Sequence, residues 1–282
     1  MTQRHATYHP LECRPDSYQA WYQQARLLRF RKDYDEALYS YERALLYYPG
    51  AYAAWYERGL TLEALRQYEQ AAQSYERAAQ LRPQDYWAWY NQGCVALEEL
   101  QDYKRAIACF QQALLLRPED YWSRYRQGES FRKLGKFDGA IACYDKLLAA
   151  HPNDYWAWYR RGDALREAGY LELALTCYEN ALIVRSQDYW SLYRQGQILR
   201  ALGRIESALQ CLHYAVTVRP ETELAWYERA CCYAQYGDLA GTISSLERAI
   251  ELNRDRYTLA ARSEPSFNKL RQHQWFASLL TA

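Results

Sequence analysis

Proline, or one replacement for it, returns at Pro15, Pro49, Pro83, Pro118, Pro152, Ser186, Pro220 and Arg254, every 34 residues with a single step of 35. A period of this length marks stacked supersecondary units, each too small to bury its apolar face alone. One elongated array therefore replaces the one or two globular cores that 282 residues would ordinarily suggest.

The units begin at Tyr18, Tyr52, Tyr86, Tyr121, Tyr155, Tyr189 and Glu223. Asp85, Asp120, Asp154 and Asp188 stand just before such starts as natural N-caps, because a carboxylate there accepts from the free N–H groups of a first helical turn. Gly135, Gly169, Gly203 and Gly237 mark where this first helix, A, ends, and a second helix, B, runs from there to the proline. Large faces small across the pair. Helix A carries Trp21, Trp55, Trp89, Trp158 and Trp226 at its fourth position, and Ala25, Gly59, Gly93, Gly128, Gly162, Gly196 and Ala230 at its eighth. Helix B answers with Ala37, Ala71, Ala106, Ala140, Ala174 and Ala208, then an aromatic residue or Leu four later and a small residue three beyond that.

This pattern of Trp, small residue, Ala, aromatic, Ala and Pro resembles the tetratricopeptide repeat over seven units, from Tyr18 to about Arg254, and is most similar to the Trp- and Tyr-rich arrays of photosynthetic bacteria. The resemblance implies an all-α, right-handed superhelical solenoid of about seven antiparallel helix pairs. Arg124 and Leu192 depart from it in place of Trp, Ser186 and Arg254 in place of Pro, Thr242 in place of Ala, and one residue is inserted near Gln101. Residues 1–17 are expected to form an arm or a degenerate half-unit, 18–254 the repeats, and 255–282 a C-terminal cap that hides the last unit behind Leu259, Phe267, Leu270, Phe276, Leu279 and Leu280.

Several function classes are disfavoured. A net charge of +1 is far from what a protein needs in order to neutralise phosphates along a duplex. The aliphatic runs are too short to span a bilayer, and the N-terminal residues offer no apolar stretch of the kind an export signal has, so a cytoplasmic protein is expected. Cys109, Cys143, Cys177 and Cys211 share one column with Ser40, Ser74 and Ser245, which reads as small packing residues and not as disulfides or a metal site. The five histidines lack metal-ligand spacing, and no phosphate loop or activated nucleophile is evident, so no catalysis and no cofactor are expected.

What remains is a second stripe on helix A, at positions two, five, nine and twelve, turned by about 100° from the core stripe. The family resemblance implies that this stripe lines a concave groove. Position five is Tyr in all seven units, including Tyr90, Tyr125, Tyr159 and Tyr193, and position two is Trp in the middle four: Trp87, Trp122, Trp156 and Trp190. Positions six and twelve add Arg126, Arg160 and Arg194, and Arg132, Arg166 and Arg200. Trp, Tyr and Arg dominate binding hot spots, so the expected role is a scaffold or assembly factor that receives an acidic, proline- or aromatic-containing segment of another protein. Two bland readings compete: packing tyrosines, and solvated arginines paired to Glu129, Asp163 and Glu167. Single-stranded nucleic acid in the same groove is the alternative, since bases stack on aromatic faces. The family's carboxylate clamp is not expected here, because it needs Lys at position five of the first unit, where Tyr22 stands.

Overall fold

A computed structural model describes residues 16–281; an N-terminal arm, with Pro15 in phase, would lie mostly outside the described residues. All regular structure among them is helical. In chain order the repeats supply α1 (Tyr18–Phe30) and α2 (Tyr34–Tyr47), α3 (Tyr52–Ala64) and α4 (Tyr68–Leu81), α5 (Tyr86–Glu98) and α6 (Tyr103–Leu116), α7 (Tyr121–Lys133) and α8 (Phe137–Ala150), α9 (Tyr155–Glu167) and α10 (Leu171–Val184), α11 (Tyr189–Ala201) and α12 (Ile205–Val218), and α13 (Glu223–Tyr236) and α14 (Leu239–Leu252). Every expected helix A start is met. The described residues fall into two compact units divided between Lys136 and Phe137, so α1 to α7 belong to the first and α8 onward to the second.

Inside each unit a helix packs on the one before it and the one after it. The caps come from sequence: the side chains of Asp85, Asp120, Asp154 and Asp188 accept from backbone N–H groups of Ala88, Ser123, Ala157 and Ser191. Gly135, Gly169, Gly203 and Gly237 hold φ between 76° and 91° where helix A closes. The three earlier units make the same turn without glycine, placing Lys32, Arg66 and Gln101 at φ 68°, 58° and 53°. Gln101 is the site of the inserted residue.

At Gly59, Gly93 and Gly196 the facing side chain of helix B comes too close for a Cβ, whereas Ala25 and Ala230 hold this position in the first and last repeats. A Cβ on Gly59 would stand 2.6 Å from the Tyr75 ring, one on Gly93 2.9 Å from Phe110, and one on Gly196 2.6 Å from Leu212. Those partners are fully buried. The position-four indole has a second task beyond packing: its Nε1–H donates to the carbonyl of the preceding loop proline, Trp55 to Pro49 at 2.8 Å, Trp89 to Pro83 at 3.0 Å, Trp158 to Pro152 at 2.7 Å and Trp226 to Pro220 at 2.9 Å. Arg124, which replaces Trp in the fourth unit, donates to the Pro118 carbonyl in the same way. Leu192, the other departure, sits where Pro is also missing and is simply buried.

After the repeats come α15 (Arg254–Ser263), a short 3-10 turn at Pro265–Phe267, and α16 (Gln274–Thr281). Arg254, without the ring of proline, begins α15 directly. Phe267 and Phe276 are buried in a cluster with Tyr257, Ala261, Leu246 and Ile250, which covers the apolar face of the last helix pair. Leu259 does not join it and is exposed; Tyr257 and Ala261 face the last repeat instead, since they lie on the opposite side of α15. The described cysteines are free, and Cys109, Cys143 and Cys177 are buried among core side chains, as packing residues are.

Candidate functional site

Consecutive A helices are tied edge to edge within each unit, which gives them a common face opposite the B helices. In the first unit the Tyr22 hydroxyl donates to Glu57 at 2.9 Å, the Asn91 amide to the Tyr56 hydroxyl at 2.8 Å, and the Tyr86 hydroxyl to Asp120 at 2.9 Å. In the second, Arg194 on α11 lies 3.9 Å from Asp163 on α9, and Arg200 reaches Glu228 on α13 at 2.5 Å.

Position-two tryptophans stand at the N-terminal ends of these helices, outside the packed layer. Trp87, Trp122, Trp156 and Trp190 expose 49, 56, 45 and 37 % of their surface. Each lies edge-on to the position-one tyrosine beside it, at 4.9–5.1 Å between ring centres, which fixes the indole while leaving a face open. Position-five tyrosines are different. Tyr90, Tyr125, Tyr159 and Tyr193 stack nearly parallel on the position-one rings, at 5.4–6.1 Å, and so line the floor between neighbouring A helices. Tyr90 and Tyr125 are half-buried, while Tyr159 and Tyr193 retain only 7 % exposure. Burial pushes the phenols of Tyr90, Tyr159 and Tyr193 up, so they stay neutral.

The arginines of positions six and twelve are largely engaged. Arg126 pairs with Glu98, Arg132 with Glu129 at 3.0 Å, Arg160 with Asp163 at 3.1 Å, Arg166 with Glu167 at 3.2 Å, and Arg194 donates to Gln197 at 3.0 Å. Asp163 is buried and also accepts from the Tyr178 hydroxyl at 2.9 Å, so it links α9, α10 and α11 and holds two arginines. Arg200 bridges Glu228 and, at 3.3 Å, Glu264 of the cap. Burial pushes the Glu228 carboxyl up against the pull of Arg200, whereas hydrogen bonds from Ser266 and the Arg200 charge overcome burial at Glu264 and hold that carboxyl down. A cavity of about 930 Å³ opens beside this network, walled by Arg166, Gln197, Arg200, Gln235 and Ser266. The structure thus brings together the indoles and their tyrosine floor in each unit, and places the arginine ladder beside them as a set of ion pairs.

Sequence reasoning passed over another set of arginines, those just before the loop prolines. Arg82, Arg117, Arg185 and Arg219 lie over Tyr52, Tyr86, Tyr155 and Tyr189 at 4.5, 4.1, 4.1 and 5.5 Å, and Arg117 and Arg185 also lie 5.5 Å from Trp87 and Trp156. The signal was present as an Arg-Pro or Arg-Ser pair in the repeat. No group of three or more His, Cys, Asp or Glu among the described residues could hold a metal ion, and no described helix is long and apolar enough to cross a membrane.

A tetratricopeptide-repeat family model matches residues 12–86, 125–189 and 193–257, and a second such model matches 88–120. No curated protein sequence matches the chain. Among solved structures, the C-terminal part of a TPR repeat-containing protein from Cytophaga hutchinsonii aligns with a TM-score of 0.68 at 16 % identity, over 83 % of this chain and 95 % of that one. YrrB, described as a TPR protein with an unusual peptide-binding site, aligns at 0.55 and 23 % identity, over 66 % of this chain and 95 % of its own. PilW, a type IV pilus biogenesis factor, aligns at 0.54 and 23 %, over 75 and 98 %. At these identities the likeness is one of fold.

Proposed function

The chain belongs to the tetratricopeptide-repeat family, and from that premise we propose that it is a non-catalytic scaffold that holds an extended segment of another protein against its A helices. The observation that carries this reading is the set of four half-open indoles. Trp87 and Trp122 in the first unit, and Trp156 and Trp190 in the second, are large apolar rings outside the core, held by neighbouring tyrosines and left accessible. Rings already fixed by their neighbours lose little freedom on binding, and such residues are the usual energetic centres of protein interfaces.

Tyr90, Tyr125, Tyr159 and Tyr193 act as the floor that sets the indoles. Arg126, Arg160 and Arg194, with Arg132, Arg166 and Arg200, give the face its shape through ion pairs. Indole faces suit proline, aromatic and aliphatic side chains. The family's general role as an interaction module and the description of YrrB as peptide-binding support a peptide as the ligand class. Cytoplasmic placement and a part in complex assembly fit the same reading.

The test is affinity capture with the native chain beside Trp87→Ala/Trp122→Ala and Trp156→Ala/Trp190→Ala variants. Prey that binds the native chain and is lost from either pair supports the reading. Prey retained by both pairs places the contact elsewhere and ends it.

A further inference from the structure

Two sets of arginines lie against the aromatic rings of the A helices, Arg117 and Arg185 within 5.5 Å of an indole, and they differ in what they already hold. Those at positions six and twelve meet carboxylates or an amide, and some of those carboxylates are buried: stripping Arg160 or Arg194 from Asp163 would leave a buried charge uncompensated, which is costly. Arg82, Arg117, Arg185 and Arg219, at the C-terminal ends of α4, α6, α10 and α12, are exposed and rest on aromatic faces. None of the four has a carboxylate partner among the described residues. Two carboxylates close by in sequence are turned inward. Asp120 accepts from the Ser123 N–H at 2.7 Å and from the Tyr86 hydroxyl, and Asp188 accepts from the Ser191 N–H at 2.7 Å.

A guanidinium stacked on a ring spends its face and keeps its N–H edge, the part that recognises a carboxylate in two-pronged fashion. Stacking also holds the side chain in place, so little rotamer freedom is left to lose when an anion arrives. The positive charge available to a ligand therefore lies at the rim beside the indoles, and not in the ladder along the A helices.

We propose that Arg82, Arg117, Arg185 and Arg219 are specificity-determining residues that read acidic side chains of the bound segment. This rests on the peptide-scaffold reading and adds which cations select its sequence. The spacing is set by the repeat: Arg82 and Arg117, like Arg185 and Arg219, end B helices one repeat apart with an A helix packed between them, a span of about two helix-packing distances of ~10 Å, and an extended chain advances about 3.3 Å per residue. An acidic residue about every six, which every second triplet of a three-residue repeat supplies, with proline or aromatic residues between, matches Arg82 and Arg117 in the first unit and Arg185 and Arg219 in the second.

The experiment uses the full chain and two fluorescein-labelled peptides, one of repeated Glu-Pro-Tyr triplets and its Gln-Pro-Tyr twin, followed by anisotropy. The native chain should prefer the Glu peptide by roughly fivefold or more, the size expected of a few partly exposed ion pairs. With Arg82, Arg117, Arg185 and Arg219 all changed to Gln, the Glu peptide should fall to the affinity of its twin. Circular dichroism checks that this variant, altered only at exposed positions, is folded. A preference that survives there and vanishes in an Arg126→Gln/Arg160→Gln/Arg194→Gln variant overturns the inference and leaves the scaffold reading standing. If neither peptide binds the native chain, or if an oligothymidylate binds in preference to both, inference and scaffold reading fall together.

Discussion

Replacing Gly196 with Ala sets two familiar effects against each other. In an exposed helix interior the change would stabilise by about 1 kcal/mol, since Gly is the poorer helix former. Here the added methyl would stand 2.6 Å from Leu212 Cγ and 2.8 Å from its Cδ2, inside contact distance of a fully buried side chain that carries no flexible tail to swing aside. Overpacking of this kind costs about 1–3 kcal/mol, so the net change is a loss of roughly 1 kcal/mol where the propensity scale alone predicts a gain. Leu212→Ala by itself should cost about 2–5 kcal/mol through the cavity it opens. In that cavity the Gly196→Ala methyl has room, and its effect should reverse to the stabilisation of about 1 kcal/mol that propensity gives. The coupling between the two changes is then about 2 kcal/mol, far above the few tenths seen between independent sites. Urea unfolding of the four proteins of this cycle, followed by far-UV circular dichroism, measures it through the loss of the second unit's helices. Additive effects, or a stabilising Gly196→Ala in the native background, would refute the claim that position-eight glycines are dictated by the facing side chain of helix B.

Further expectations concern the turns, the loop carbonyls and pH. Gly203→Ala should destabilise by about 1 kcal/mol because φ is 76° there, whereas Arg66→Gly and Gln101→Gly should stabilise by up to about 1 kcal/mol because those residues already sit at 58° and 53°; thermal midpoints read both signs. Trp55→Phe keeps one aromatic ring but loses the Nε1–H bond to Pro49 and part of the indole's packing, for a cost of about 1 kcal/mol or more in urea unfolding. Burial pushes the thiols of Cys94, Cys109 and Cys232 up to about 12 and that of Cys211 up to about 11, from an ordinary 9.0. The unfolded chain therefore ionises these groups first as pH rises through 9. Stability should be intact below that value and fall as pH rises toward 12, a trend that urea midpoints at about pH 8 and about pH 10.5 would show.

Most of the scaffold could be read from spacing, because the repeat requires the same few contacts each time: an Asp at the N-cap, a glycine under the facing ring of helix B, an alanine at the crossing. Three turns were less visible. Lys32, Arg66 and Gln101 adopt the left-handed conformation without glycine, since the tertiary contact between helices A and B fixes the turn and overrides local preference. Leu259 was misread because Arg254 lets α15 start early, which sets the phase of the cap helix and turns Tyr257 inward. At the candidate site, the period separated core from surface for Trp87, Trp122, Trp156 and Trp190, but not for Tyr159 and Tyr193. All four position-five rings stack on a position-one ring, yet only Tyr159 and Tyr193 join a buried core cluster, so burial at this position depends on the surrounding side chains and not on the repeat period. The arginines were the hardest to read. Charge alone does not distinguish Arg160, committed to Asp163, from Arg185, which lies on Tyr155 with its edge free.

Oxidative footprinting of the chain, free and bound to captured prey, addresses the accessible indoles most directly. Trp87, Trp122, Trp156 and Trp190 should oxidise readily in the free chain and be protected in the complex, while Trp55, Trp89 and Trp158, bonded to their loop carbonyls, change little. Protection of Tyr39, Leu46 and Tyr214 on the B helices, with the four indoles unaltered, would contradict it.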